Sequence, residues 1–108
     1  MKKIVIDEIA QRISKNFTLT QIATVDNYGI NLALIDGQYP FHRHNGDEFF
    51  LILKGEIFID IKDNPPVILK EGEGFLIKEG TIHRSRSNKK SLALVFEARD
   101  LSYLIEEE

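Results

Sequence analysis

The 108-residue sequence contains no cysteine. Without cysteine the chain has no disulfide, no thiolate ligand for a metal and no cysteine nucleophile. No segment approaches the roughly 18 consecutive apolar residues that a membrane-spanning helix requires. Positive charge is not in excess either, because the net charge is −3. The sequence therefore gives no electrostatic basis for binding nucleic acid or an anionic membrane.

The residues that are present are those of an ordinary globular protein, with 43% apolar and 29% charged residues. This length suffices for one hydrophobic core, so we expect a single domain over residues 1–108. The apolar start of the chain is interrupted by Asp7 and Glu8, too early for a signal peptide. Together with the lack of cysteine, this predicts a cytoplasmic protein.

The apolar pattern predicts one short helix followed by many strands. Ile6, Ile9, Ala10 and Ile13 recur at helical spacing, which indicates an amphipathic helix packed on the body of the protein. After Asn16 the period changes to two. The predicted strands are Phe17–Val25, Tyr28–Leu34, Phe49–Leu53, Ile57–Ile61, Val67–Leu69, Phe75–Ile77, Ile82–Ser87 and Leu92–Ala98.

Turn signals separate these strands and favour an antiparallel sandwich or barrel. Asp26-Asn27 and Asp36-Gly37 are typical of tight turns, and Asp63–Pro66 indicates another. We expect one helical turn over Asp100–Ile105 and a frayed acidic end at Glu106–Glu108.

All three histidines of the chain fall into one pattern with Glu48. His42 and His44 are two residues apart, so on a strand both side chains point to the same face. Asn45–Asp47 is a turn sequence that brings Glu48, at the head of the next strand, towards the same point. His83 can supply a fourth ligand from a distant strand.

Three imidazoles and one carboxylate suit a divalent transition metal: Fe, Mn, Ni, Zn, Co or Cu. In an octahedral geometry such a set leaves positions open for a substrate or for oxygen. The sequence therefore predicts a metal centre formed by His42, His44, Glu48 and His83.

The glycines around these residues make the pattern resemble the cupin family. The first cupin motif is matched by Gly37, His42, His44, Glu48 and Gly55, and the second by Gly72, Gly80 and His83. Lys78 stands where the second motif usually has proline, and Ser87 where it usually has asparagine. Neither position is a metal ligand in the family. The resemblance covers about residues 30–98 and is strongest to small single-domain, mannose-6-phosphate-isomerase-like members.

The resemblance implies an all-β jelly roll, the double-stranded β-helix, with a metal inside the barrel. By strand parity, Phe50, Ile52 and Ser85 point to the metal side and are candidate pocket residues, although a core role explains Phe50 equally well. Arg43 is out of phase with the histidines and should point away from the metal, as should Arg84 and Arg86. A slip in strand register would instead turn the arginines into anion clamps. Arg84 and Arg86, with Lys89 and Lys90, are otherwise interpreted as solvated surface.

Two classes of function fit these residues. The first is a metal-dependent enzyme acting on a small oxygenated substrate, either a sugar-phosphate isomerase or a dioxygenase. The second is a non-catalytic module that binds a small ligand, since little chain remains for a lid. The largely uncharged pocket candidates weaken the sugar-phosphate alternative. The apolar surface of Phe17–Val25 and of the N-terminus predicts a homodimer.

Overall fold

The computed structural model describes residues 1–106, and its regular secondary structure consists almost entirely of strands. The single helix of this part of the chain, α1, spans Ile6–Ala10. The strands are β1 (Thr20–Val25), β2 (Tyr28–Gln38), β3 (His42–His44), β4 (Glu48–Lys54), β5 (Glu56–Ile61), β6 (Val67–Lys70), β7 (Gly74–Ile77), β8 (His83–Ala98) and β9 (Tyr103–Ile105). The all-β prediction is confirmed.

The strand β8 holds the sheet together. It pairs with β2 along most of its length, with β3 and β5 near its start and with β4 along its second half, always antiparallel. The outer partners are β1 on β2, β6 on β5, β7 on β4 and β9 on β3. Because one long strand serves both ends, the sheet curls round and encloses an interior.

The strand β2 is buried on both faces, and its side chains alternate between two apolar clusters. Ala33 and Ile35 face the interior of the curled sheet, where they join the largest cluster of buried residues. Leu32 and Leu34 face the opposite side, where Ile6, Ile9, Ala10 and Ile13 pack against them. The predicted helix therefore covers the outer face of the sheet. It ends at Ala10, before Ile13, in tight turns that hydrogen-bond residues three apart.

Two predictions about strand ends were wrong. The two strands predicted over 82–87 and 92–98 form one strand, β8, which begins at His83. The hydroxyls of Ser87 and Ser91 lie 3.1 Å apart and contact the backbone oxygens of Glu56 and Lys89, and these contacts hold the bulged segment between the two serines. Asp36-Gly37 is not a hairpin turn. The strand continues to Gln38 through a bulge, and Gly37 takes the left-handed conformation (φ +87°) that a bulge requires.

The tail is a strand and not the predicted helical turn. Tyr103 lies opposite His44 and Ile105 opposite His42 in the pairing of β9 with β3. Glu106, which was predicted to fray, donates its backbone N–H to Phe41 at 2.7 Å. Pairing with a distant strand has overridden local preference here. The rest of the predicted frayed end, residues 107 and 108, lies outside the described residues.

Candidate metal centre

The structure brings the three histidines together at one end of the interior. His42 lies directly opposite His83 in the pairing of β3 with β8, and their ring centroids are 4.4 Å apart. The rings of His42 and His44 are 4.8 Å apart. One nitrogen from each of the three rings lies within 4.8 Å of the other two. The three rings therefore converge on one point, where they could hold an ion between them.

Glu48 begins β4 and completes the predicted set. Its Oε1 atom is 3.5 Å from His44 Nε2 and 3.4 Å from His83 Nε2. These distances are long for hydrogen bonds. They match the spacing of two ligand atoms that are each about 2.1 Å from a common ion, which is about 3.0–3.4 Å for octahedral and tetrahedral angles.

Backbone carbonyls orient two of the rings. His42 Nδ1 lies 2.9 Å from the Pro40 carbonyl, and His83 Nδ1 lies 2.8 Å from the Thr81 carbonyl. A carbonyl oxygen only accepts, so each Nδ1 carries the hydrogen and each Nε2 keeps its lone pair. This arrangement fixes the tautomer that a metal needs.

Several of the converging atoms are buried without a hydrogen-bond partner in residues 1–106. They are both ring nitrogens of His44, Oε1 of Glu48 and Nε2 of His83. Orphaned buried polar atoms are rare because each costs free energy. A divalent cation would satisfy the inward-facing atoms together, so the residues present fit a metal.

The charge states also suit metal binding. Burial, together with the neighbouring histidines, lowers the pKa of His42 to about 4, so this ring is neutral at pH 7. For Glu48 the largest single influence is burial, which raises the pKa. The nearby His44 and His83 rings, which favour the ionised carboxylate, outweigh burial and lower the pKa to about 2. The site therefore offers a neutral imidazole and an ionised carboxylate without prior loss of a proton.

The sequence interpretation missed one further carboxylate, Glu97 on β8. It lies directly opposite Glu48 in the pairing of β4 with β8 and is 7% exposed. Burial, and then the charge of the neighbouring Glu48, raise the pKa of Glu97 to about 8. A signal was available, because Glu97 continues the alternation of Ala93 and Val95, both buried in the interior cluster.

The histidines and both glutamates line a cavity of about 510 Å³. Of the candidate pocket residues, Phe50 and Ser85 line it, but Ile52 does not. Ile52 is fully buried in the interior cluster instead. Strand parity correctly placed Ile52 on the interior face of the sheet. It did not show that Ile52 lies within the apolar core and away from the cavity wall.

Two tyrosines, neither of them predicted, form part of the cavity wall. The hydroxyls of Tyr39 and Tyr103 lie 3.2 Å apart. The ring of Tyr39 stands edge-on to His42 at 5.1 Å, and Tyr103 lies 5.9 Å from the ring of His44. Tyr103 reaches the site only because the tail pairs with β3, which the predicted helical turn did not allow.

The arginines point away from the metal side, as predicted. Arg84 and Arg86 both bind Oδ2 of Asp60, at 2.9 and 2.7 Å. They also stack on Phe41 and Phe58, with guanidinium carbons 4.3 and 4.4 Å from the ring centroids. The register pairs Arg84 with Asp60 across β5 and β8, so a slip that creates anion clamps has not occurred.

Arg43 also points outward and pairs with Glu106 at 3.0 Å. The unusual Lys78 forms an exposed ion pair with Asp47 at 2.8 Å. The backbone N–H of Glu79 donates to the other oxygen of Asp47 at 2.9 Å. This loop is therefore tied to the turn immediately before Glu48 in the absence of the usual proline.

Comparison with known proteins decides the family. A family model described as a cupin domain, of the cupin 2 type, matches residues 35–98. This chain belongs to the cupin family. The predicted jelly roll is confirmed by a cupin-2 domain protein from Shewanella frigidimarina, with a TM-score of 0.85, 23% identity and coverage of 89% of this chain and 94% of that one.

Three further proteins are similar to this chain. The cupin is 35% identical to the uncharacterised protein YdbB of Bacillus subtilis, over 93% of this chain and 89% of YdbB. It is 30% identical to the uncharacterised HTH-type regulator YdeC of the same organism, over 84% of this chain but only 31% of YdeC. The hydroquinone 1,2-dioxygenase PnpCD, solved with Cd2+ and 4-hydroxybenzonitrile, has a TM-score of 0.77 and 22% identity, covering 88% of this chain and 71% of that one.

Within residues 1–106, no helix is long and apolar enough to cross a membrane.

Proposed function

We propose that this cupin is a metal-dependent enzyme of the dioxygenase type that acts on a small, planar, oxygenated substrate. The observation that carries this proposal is the position of the ligand set: unpartnered, buried atoms of His44, Glu48 and His83 face a largely apolar cavity. With His42 these residues would hold the ion. A bound Fe(II) or a similar ion would supply Lewis-acid and redox chemistry there.

The cavity wall suits an aromatic or similarly flat molecule. Phe17, Phe50 and Leu101 are among the apolar residues that line it, and the rings of Tyr39 and Tyr103 lie 5.1 and 5.9 Å from those of His42 and His44. About 510 Å³ is within the usual range for a small-molecule site. In this arrangement the apolar side chains exclude water, while Tyr39 and Tyr103 donate hydrogen bonds that orient an oxygen of the substrate.

The alternative of a sugar-phosphate isomerase has less support. A phosphate requires cations in the pocket, and Lys15, which is exposed, is the one cationic side chain among the described residues lining the cavity. Arg84 and Arg86 lie on the other side of the sheet, bound to Asp60. The hydroquinone dioxygenase named above holds an aromatic ligand on the same fold, which agrees with the preferred substrate class.

Oxygen uptake tests this proposal. Protein loaded anaerobically with Fe(II) is mixed with a panel of hydroquinones, catechols and related phenols in an oxygen electrode. We expect oxygen consumption with at least one compound and its loss in Glu48→Gln. Glu79→Gln, which removes an exposed carboxylate from the loop tied to the turn before Glu48, should retain activity. Binding of phenols with no turnover under any metal would reject the enzyme.

A second candidate is a ligand-sensing module, favoured by the match to part of a transcriptional regulator. The same cavity would then bind a small molecule through the metal and the tyrosines without reaction. Calorimetry with the phenol panel separates the two functions, since a sensor gives a stable complex and unchanged ligand, whereas an enzyme gives products.

We also propose that the protein is a homodimer. Leu19, Val25 and Tyr28, on or beside β1 and β2, are each more than 40% exposed, so apolar side chains are exposed at the edge of the sheet that β1 forms. An exposed edge of this kind is commonly covered by a partner. Light scattering after size exclusion should give twice the chain mass of 12.4 kDa, and a mass of one chain would refute the dimer.

A further inference from the structure

The pairing of Glu97 with Glu48 is the feature of the cavity that the four expected ligands do not explain. The two residues are direct partners across β4 and β8, so their side chains leave the same face of the sheet. Both are buried, since Glu48 is 5% exposed and Glu97 is 7% exposed. Two carboxyl groups placed opposite each other in an interior repel if both are charged.

The compensating charge nearest to this pair is that of the His44 ring, which favours the ionised form of both glutamates. The lysine among the described lining residues is Lys15, which is exposed. The Oε2 atom of Glu97 is buried without a hydrogen-bond partner in residues 1–106, and so is Oε1 of Glu48. A buried, unpartnered carboxyl oxygen needs a proton or a cation as its partner, and a cation could be shared with Glu48.

The geometry supplies a place for that partner. One ligand atom each from His44, Glu48 and Glu97 lies within 4.8 Å of the other two. His44 also belongs to the group formed with His42 and His83, so the two groups have one residue in common. We propose that Glu97 is a fifth protein ligand of the metal centre. This inference rests on the proposed function, because it requires the four predicted residues to hold an ion.

A second carboxylate changes what the centre binds. Carboxylate oxygens favour Mn(II) and related hard ions, whereas imidazole nitrogens suit Zn(II) and Cu(II). Two carboxylates also balance the two charges of the ion, which reduces the cost of burying it. Five protein ligands leave one position of an octahedron for the substrate.

Metal binding to purified, chelator-treated protein tests this inference directly. Calorimetric titrations with Mn(II) and Zn(II) compare wild type with Glu97→Gln, which keeps the shape and removes the charge. Glu79→Gln, an exposed carboxylate beside the same end of the barrel, is the matched control. We expect Glu97→Gln to weaken Mn(II) binding at least tenfold and Zn(II) binding less, while Glu79→Gln stays within twofold of wild type.

The same titrations distinguish a failure of this inference from a failure of the proposed function. If Glu97→Gln binds Mn(II) as tightly as wild type while Glu48→Gln loses binding, Glu97 is not a ligand and the four-residue centre stands. If wild type binds none of the metals, the proposed function fails and this inference with it. Should Glu97→Gln not fold, the anomalous map of a Mn(II)-loaded wild-type crystal decides. A Glu97 oxygen about 2.0–2.4 Å from the ion supports ligation, and one beyond about 3.5 Å overturns it.

Discussion

His42 and His83 face each other directly across β3 and β8, and each ring is oriented by a backbone carbonyl two residues before it. The same local device therefore acts on both strands and aims both Nε2 atoms inward. The site is therefore preorganised for a metal, because the rings of His42 and His83 hold their metal-binding tautomer without any ion.

Metal removal should lower thermal stability. A ligand present at 100 times its Kd stabilises the folded state by about 2.7 kcal/mol, which for a domain of this size raises Tm by roughly 10–20 °C. We expect a melting curve in a chelator to lie lower by about that amount and His44→Ala to show no such difference. Equal wild-type curves with and without chelator, measured by differential scanning fluorimetry, would argue against a bound ion.

Acidification should release the metal first through His44. Burial alone would lower the pKa of this ring, but the neighbouring Glu48 carboxylate outweighs burial and raises it above 6.5. The pKa of His42 is about 4, so protons do not compete with the metal for the His42 ring in this pH range. Metal affinity should begin to fall below neutral pH, measured by competition with a fluorescent chelator. Affinity unchanged down to pH 5 would contradict this order.

The metal-free protein should lose stability as pH rises from about 4.5 to about 8. Burial and Glu48 raise the pKa of Glu97 from 4.5 to about 8, so the folded state holds this proton more tightly than the unfolded state. The resulting stability is complete below about pH 4.5 and is lost as pH approaches and passes 8. Urea unfolding in a chelator should show a decline from pH 6 to 8.5 that is shallower in Glu97→Gln. The raised pKa of His44 leaves a remaining slope of the same sign.

Removing the hydroxyl of Tyr39 should affect ligand binding more than metal binding. Burial and Tyr103 raise the pKa of Tyr39 to about 12, so it remains a hydrogen-bond donor throughout the neutral range. Tyr39→Phe should weaken a phenolic ligand by about 0.5–1.5 kcal/mol while metal affinity stays within twofold. Calorimetry measures both quantities, and an equal loss of metal affinity would assign Tyr39 a role in the metal centre.

Gly55 should tolerate substitution worse than Gly72. Both have a positive φ, +88° and +83°, which costs an L-residue about 1–2 kcal/mol. A Cβ at Gly55 also meets the side chain of Ser91, whereas a Cβ at Gly72 meets nothing within 4 Å. Gly55→Ala should therefore cost about 1–3 kcal/mol more than Gly72→Ala in urea unfolding, as overpacking does. Equal costs would show that the strand yields at Ser91.

The sequence predicted the parts of the site that follow from spacing. His42, His44 and Glu48 lie within seven residues, so local strand geometry places them, and the glycine framework identified His83. Glu97 and Tyr103 depend on which strands pair, β4 with β8 and β3 with β9. Such pairing is decided by the whole core and the tail together, and neither alternation nor turn signals encode it locally.

The fold, too, was predicted only in the parts that local sequence patterns determine. Alternation located most strands, but the two serines that hold β8 together look like a loop in the sequence, and Gly37 looks the same in a turn as in a bulge. In both cases the local signal fits two structures, and distant contacts select one of them.

We propose that His42, His44, Glu48 and His83 together hold a divalent ion. Elemental analysis can test this on protein that has been incubated with a mixture of Mn, Fe, Co, Ni, Cu and Zn and then desalted. We expect roughly one ion per chain in wild type and almost none in His44→Ala or Glu48→Gln. A wild-type protein that retains no more metal than these two variants would contradict it.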